Sequence, residues 1–356
     1  MNEFDNSVKE TVCSFENLYR AMRICKRNVC WKDSVAGYVK NGLTNITKLV
    51  DEHEKGTYEI SKYSVFKVYE PKERDIVSTR IKDRVFQRSL CDNYLTKEVS
   101  KSFIYDNCAC QVNKGTDFAR ERLKCHLQKF YRKHGTDGYV LKCDLKNYFG
   151  STSHNVAYEA VRKRVSDEWV LQEVWRIISS FNQGDDPDVG MGLGSQVTQL
   201  IQLAVLDDLD HFIKEQLKIR HYVRYMDDFI LIHEDKEYLK LCKMKIAERI
   251  EQLGLMLSKK KTQIFPVTQH ISFLGFSFRL TDTGKVVMKM LPNKVSHERR
   301  KLKRLVARAK SGLMSREEVD NCFISWKAHA SKGDTYKLVR NMEKFYQELW
   351  EVNDNV

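Results

Sequence analysis

The chain has 356 residues and carries 61 Lys plus Arg against 48 Asp plus Glu, a formal net charge of +13. With 42% hydrophobic and 11% aromatic residues it reads as a folded protein of two or three packed units, not a basic disordered tail. The 4 prolines exclude a Pro-rich linker architecture, no apolar run reaches the ~18 residues of a membrane span, and the polar, acidic start Met1-Asn2-Glu3-Phe4-Asp5 lacks a secretory signal pattern, so a soluble, cytoplasmic protein with no membrane partner is expected.

In chain order, residues 1–60 read as helical, with Trp31, Val35, Tyr38 and Val39 at helix-like spacing. Ser64–Tyr69 alternates as a strand does and stops at Pro71. Helices are predicted around 82–95 and 116–134, with a short buried strand between Gly138 and Asp144. Further helices are predicted at 155–181 and, after a loop holding Gly184, Pro187, Gly190, Gly192 and Gly194, at 195–217. Two apolar runs, His221–Tyr225 and Phe229–His233, flank a tight acidic turn. A helix over 236–253, a strand pair over 271–280 and a basic helical segment after Pro292 complete the pattern of an α+β or α/β sheet core followed by a helical module, with α+β the class chosen. The 10 cysteines form no CxxC pair and no zinc-type spacing with the 10 histidines, so they read as free thiols in a reducing compartment.

The chemistry concentrates in the acids. Asp227 and Asp228 are adjacent between apolar runs, where neighbouring carboxylates repel and burial penalises their charge, so a cation should compensate. Magnesium suits such hard oxygen ligands. Asp144 closes a second apolar run 83 residues upstream of Asp227, with alternation turning Lys142 and Asp144 to one face and Tyr139, Leu141 and Cys143 to the other. If the strands are neighbours, three carboxylates converge and can hold two ions ~4 Å apart, one activating an attacking hydroxyl and one steadying a leaving phosphate. Asp227 and Asp228 taken alone also fit an ordinary turn.

Tyr225-Met226-Asp227-Asp228 between two apolar strands resembles the catalytic hairpin of reverse transcriptases, and further matches follow in order. Asp144-Leu145-Lys146-Asn147-Tyr148-Phe149 resembles the first metal-binding motif, which assigns the metal to Asp144, Asp227 and Asp228 with the Leu145 carbonyl added. Phe149 takes the place of the aromatic that excludes a ribose 2′-hydroxyl. Gly194-Ser195-Gln196-Val197-Thr198-Gln199 resembles the loop-to-helix motif at the template and nucleotide, with Gly194 and Gln199 shaping the pocket. Lys259-Lys260-Lys261-Thr262 resembles the motif carrying a Lys near the triphosphate, best matched by Lys261, and Phe273-Leu274-Gly275-Phe276 resembles the primer grip.

The Gly-x-x-x-Ser-Gln form, here with Thr198 for Ser, is similar to the reverse transcriptases of diversity-generating retroelements of bacteria and phages. That likeness runs from Asn17-Leu18 to Ser325-Trp326-Lys327-Ala328-His329 and Asp334-Thr335, with Gln111 where an Arg is common. It implies a right-hand polymerase fold divided as 1–60 (helical N-terminal extension), 61–285 (fingers and palm) and 286–356 (helical thumb). It also implies two Mg2+ ions, for which Mn2+ can substitute, deoxynucleotides as substrates, a template RNA and primer or cDNA as partners, and help from a small basic accessory protein. Errors at template adenines are part of the same expectation. A retron-like or phage-defence reverse transcriptase, and a non-catalytic RNA-binding scaffold, are the alternatives.

Basic groups extend the expected contacts. Lys72 and Arg74, matched through the family motif, are candidates for the incoming triphosphate; their stretch with Arg80, Lys82 and Arg84 also fits a solvated surface. Lys114 precedes Gly115-Thr116 at a helix start suited to an anion, or is a surface Lys beside a cap. With Tyr225, Met226 and the primer grip it is expected at the template–primer. Residues 294–310 hold eight Lys or Arg against Glu298 alone, on an amphipathic helix that would track phosphates, with Arg299, Arg300, Lys303 and Arg304 the chosen contacts. Lys261 beside a leaving pyrophosphate would act as general acid, or belongs to a charged loop. Trp326 and His329 are expected in the core of the last helical segment, with a base-stacking platform as the alternative.

Overall fold

The computed structural model describes residues 7–69, 74–181, 187–192 and 194–351. Ser7 and Glu10 form a capping box that starts the helix Val8–Cys13. The helices Phe15–Cys25, Asp33–Lys40 and Gly42–Glu54 follow, and Leu18, Met22, Ile46 and Leu49 are buried on their inner faces. The helix Phe15–Cys25 packs along Ile81–Leu90. That helix runs on through a π-helical turn, Cys91–Leu95, into Thr96–Ser100, beyond the end expected at residue 95. Between these helical blocks projects an antiparallel hairpin of β1 (Ser64–Val68) and β2 (Arg74–Ser78), with Ser64 opposite Ser78 and Val68 opposite Arg74. Its Val65 and Phe66 side chains are exposed.

The central sheet has the order β4-β5-β3-β6, built from β3 (Tyr139–Asp144), β4 (His221–Tyr225), β5 (Asp228–His233) and β6 (Gln263–Pro266), all pairs antiparallel. Period-two alternation sends its side chains into two separate cores. Leu141, Cys143, Tyr222, Phe229 and Leu231 join the N-terminal helices, Gln196–Val205 and Lys236–Gln252 in one. Val140, Val223, Ile230 and Ile232 join the helix Thr116–His134 and the C-terminal part of the chain in the other. Lys142, Asp144 and Asp228 alternate in phase with this second set, so they leave the sheet on one face.

The helices expected over 155–181 are two, and the one long helix predicted over 195–217 is broken. The 155–181 segment splits into His154–Arg162 and Glu168–Ser179, because Asp167 accepts from the Val170 N–H and starts a new helix. The 195–217 segment bends at Leu206 (φ −97°, ψ 3°) into Gln196–Val205, Asp207–His211 and a π-helical turn, Phe212–Gln216. The expected strand pair at 271–280 is β7 (Ile271–Phe273) and β8 (Phe276–Leu280), extended by β9 (Val286–Met290) into a three-stranded sheet. The helices Pro292–Lys310, Arg316–Ala330 and Tyr336–Glu351 pack on it through Phe276, Leu302, Trp326 and Met342. Pro292 sits in the first turn, where a missing N–H costs nothing. His329 corrects its expectation: only Trp326 is buried, while His329 is exposed with its ring 5.2 Å from Phe276. The buried stripe of this helix runs through Val319, Phe323, Trp326 and Ala330, and His329 lies on its exposed flank.

Candidate active site

Tyr225 pairs with Asp228, so Met226 and Asp227 form a two-residue hairpin turn. Met226 has φ +55°, a left-handed conformation that L-residues adopt at a cost. Arg224 holds the turn from behind. Its wholly buried guanidinium donates to the Met226 carbonyl (3.1 Å), to the Leu203 carbonyl (3.2 Å) and to both oxygens of Asp210 (2.7 and 2.6 Å). Tyr222 donates to the same Asp210 at 2.6 Å. Arg224 and Asp210 escaped sequence reasoning; the available signal was an Arg inside an apolar strand with an Asp near the end of the preceding helix.

Asp144 stands directly opposite Asp228 in the β3–β5 register, a spacing of about 5 Å between Cβ atoms. The three acids therefore meet at one end of the sheet, two on paired strands and Asp227 on the turn. Lys142 Nζ lies 3.1 Å from both Asp228 oxygens and donates to Oδ2, while Oδ1 is buried without a hydrogen-bond partner. Lys261 donates to both oxygens of Asp144, at 2.6 and 2.8 Å. Burial pushes the Asp228 carboxyl up to about 6, against the pull of Lys142 and with the added repulsion of Asp144 and Asp227. Ammonium groups thus supply part of the positive charge the acids require. Among the described residues no group of three His, Cys, Asp or Glu side chains, as placed, could hold a metal ion. The donor chemistry nevertheless fits a hard divalent cation: three carboxylates on one corner, with Asp228 Oδ1 buried and making no hydrogen bond beyond its ion pair with Lys142.

The loop bearing Lys261 is stitched to the acid strand. Ser258 donates its N–H to the Asp144 carbonyl (2.7 Å), Lys146 donates to the Met256 carbonyl (2.9 Å), and Leu145 bridges Leu257. Asn147 is left-handed (φ 46°) and starts the short helix Tyr148–Ser151. Phe149 is half-buried, edge-on to Tyr148, and its carbonyl accepts from Met191 at 2.7 Å. Gly194 (φ +109°) would bring a Cβ within 4.0 Å of the Val77 carbonyl on β2. Ser195 donates to Gln87 and caps the next helix, whose Gln199 accepts from Cys110 at 3.3 Å.

Phe273 is buried, and Leu274 (φ 47°) and Gly275 (φ 85°) make the left-handed β7–β8 turn. Buried Arg120 pins it by donating to the Leu274 carbonyl (3.1 Å) while stacking 4.9 Å over Phe276. Lys142 also donates to the Ser272 carbonyl, so one ammonium joins this turn to the acid corner.

Other cations are differently engaged. Lys114 donates to the Tyr105 and Asn107 carbonyls at 2.9 and 3.0 Å, and burial lowers its pKa. Its ammonium braces a loop and does not face outward. Lys72 and the Arg74 side chain lie outside the described residues. Arg80 and Arg84 hydrogen-bond locally and Lys82 pairs with Glu52, so these three do not form a free stripe. On the helix Pro292–Lys310, Arg299 and Lys303 lie over Phe345 (5.3 and 5.9 Å), and Arg299 borders a groove of about 910 Å3 with Val295 and the segment 333–338. Arg300 and Arg304 line a separate recess with His297.

Residues 71–278 match the family model described as reverse transcriptase (RNA-dependent DNA polymerase). Protein YkfC of Escherichia coli (strain K12) is 24% identical over 177 residues, covering 38% of this chain and 46% of that protein, so the chain spans under half the length of this curated relative. Telomerase from Candida albicans, solved in complex with the TWJ fragment of telomeric RNA, superposes with a TM-score of 0.51 at 14% identity, over 82% of this chain and 55% of that one. With its four-stranded sheet, its acid hairpin and a family match over more than half its length, the chain has the right-hand polymerase fold and belongs to the reverse transcriptase family.

Proposed function

We propose that the chain copies a template RNA into cDNA by adding deoxynucleotides to a primer 3′-hydroxyl, as the reverse transcriptase of a diversity-generating retroelement. The observation that carries the chemistry is the register of Asp144 opposite Asp228, with the Asp227 turn beside them. Asp144, Asp227, Asp228 and the Leu145 carbonyl would hold two Mg2+ ions, or Mn2+ in their place. Such ions, when bound, lower the pKa of the attacking hydroxyl and neutralise the leaving pyrophosphate. Lys261, whose ammonium donates to Asp144, would serve as proton donor to that pyrophosphate. Phe149 excludes the ribose 2′-hydroxyl; Gly194 and Gln199 shape the pocket of the templating pair; Lys72 and Arg74 meet the triphosphate.

Template and primer run past Tyr225 and Met226 and the Phe273-Leu274-Gly275 turn, to be clamped by Arg299, Arg300, Lys303 and Arg304. Lys114 contributes by fixing the loop it braces. In this reading 1–60 is a helical extension, 61–285 forms fingers and palm, and 286–356 forms the thumb. A small basic accessory protein joins the template RNA as a partner. Support for the retroelement type comes from the Gly194–Gln199 motif, where Ser195 and Thr198 tie the loop to the helix through Gln87 and the Gly192 carbonyl. Sequencing cDNA made on a defined RNA containing all four bases tests it: substitutions should concentrate opposite template adenines. Errors spread evenly over the four bases would remove the retroelement reading and favour a retron-like or defence enzyme.

A further inference from the structure

We infer a second RNA-binding site at the far end of the catalytic hairpin, made for backbone phosphates outside the duplex being copied. It rests on the polymerase reading above only in supplying RNA as the polyanion. A cleft of about 650 Å3 opens between the C-terminal half of the helix Thr116–His134, the segment 214–220 and the His221/His233 end of β4 and β5. Tyr139 pairs with His233 where Asp144 pairs with Asp228, so five residues of strand, about 17 Å, separate this cleft from the acids.

Its charge is lopsided: six Lys and Arg line it against Asp106 and Glu234. Both acids are already engaged. Asp106 accepts from Arg122 Nε at 2.6 Å and lies 3.1 Å from His126 Nε2; despite burial, these partners hold its carboxyl down at about 2. Glu234 lies between His134 (3.8 Å) and His233 (3.7 Å). Lys129, Lys133, Lys218 and Arg220 form no ion pair among the described residues, and Lys214 has only the Arg220 carbonyl, at 3.0 Å. Burial, and then the cations around it, pushes His221 down to about 4, so it meets a ligand as a neutral hydrogen-bonding ring.

The geometry points to a strand and not a small anion. Arg122, His126, Lys129 and Lys133 recur at spacings of four, three and four, one face of a helix, and span about 16 Å. The 214–220 segment forms a second basic wall opposite. Ile232 is the only apolar residue among those lining the cleft, and beyond the histidines no aromatic ring lines it, so neither an apolar peptide nor a stacked base is favoured. Two cationic walls without a stacking platform suit a phosphate backbone.

The test uses two RNAs that share one primer–template end, one of them carrying a long folded 5′ extension. Wild type should bind the extended RNA more tightly. Lys133→Glu/Lys218→Glu should remove that advantage, a loss of about tenfold or more, and flatten the log Kd against log salt slope by about 0.7–0.9 per lost phosphate contact. Lys133→Gln/Lys218→Gln should fall between the two. Primer extension on the short RNA and the thermal midpoint should stay at wild-type values. Equal binding of the extended RNA by wild type and variant would overturn the site, as would loss of short-RNA extension in a variant that stays folded. Competition by inorganic tripolyphosphate with no preference between the RNAs would make it a small-anion site instead. Failure of wild type to extend the short RNA would count against the polymerase reading alone, because the binding comparison needs no catalysis.

Discussion

Asp144 and Asp228 face each other across paired strands, and each is met by an ammonium, Lys261 on the first and Lys142 on the second. The acids were legible because a carboxylate at the end of an apolar run has few structural uses. The lysines' engagement was not, since a Lys reaches several positions and only the register decides which. Lys114 shows the same limit: its sequence context fits a phosphate contact, yet its ammonium is held by two carbonyls. Phe149 carries a residue-scale prediction. Half-buried beside Tyr148, it presents a ring where alanine would leave open space. Phe149→Ala should raise incorporation of ribonucleotides relative to deoxynucleotides by about tenfold or more, an energy of about 1.4 kcal/mol. Unchanged sugar selectivity in single-nucleotide extension would sink its assigned role.

At the scale of elements, the β4–β5 hairpin depends on a buried pair. Arg224 joins Asp210 on the helix Asp207–His211 to the Met226 carbonyl of the strained turn, so one guanidinium fixes strand, helix and acid corner together. Removing one partner of such a pair leaves a buried uncompensated charge and costs about 3–5 kcal/mol. Arg224→Met should lose about that much in urea unfolding, with the double variant Arg224→Met/Asp210→Leu recovering most of it. A single-variant loss under about 1 kcal/mol would contradict the positioning role. Strand boundaries were readable because β-branched and aromatic residues alternate between turn signals. The breaks at Leu206 and Asp167 were not, because an apolar period survives a change of helix direction that tertiary packing imposes. The π-helical turns at Cys91–Leu95 and Phe212–Gln216 leave no periodic signature for the same reason.

On the scale of the whole molecule, the central sheet divides two cores, and the acids leave it on the face shared with the C-terminal helices. Helices alternating with short strands and a basic helical end gave the α+β class from sequence; the N-terminal helices' share in the larger core was not visible, since amphipathic helices do not name their partner. No helix among the described residues is long and apolar enough to cross a membrane. The central proposal is that the corner of Asp144, Asp227 and Asp228 performs divalent-ion-dependent nucleotidyl transfer. Deoxynucleotide incorporation on poly(rA) with an oligo(dT) primer measures this most directly, with and without Mg2+, for wild type and Asp227→Ala. Wild type should incorporate only with the divalent ion, and the variant should fall by about a thousandfold, several kcal/mol of lost transition-state stabilisation, at an unchanged thermal midpoint. Incorporation that persists in Asp227→Ala, or in wild type stripped of divalent ions, would contradict the account.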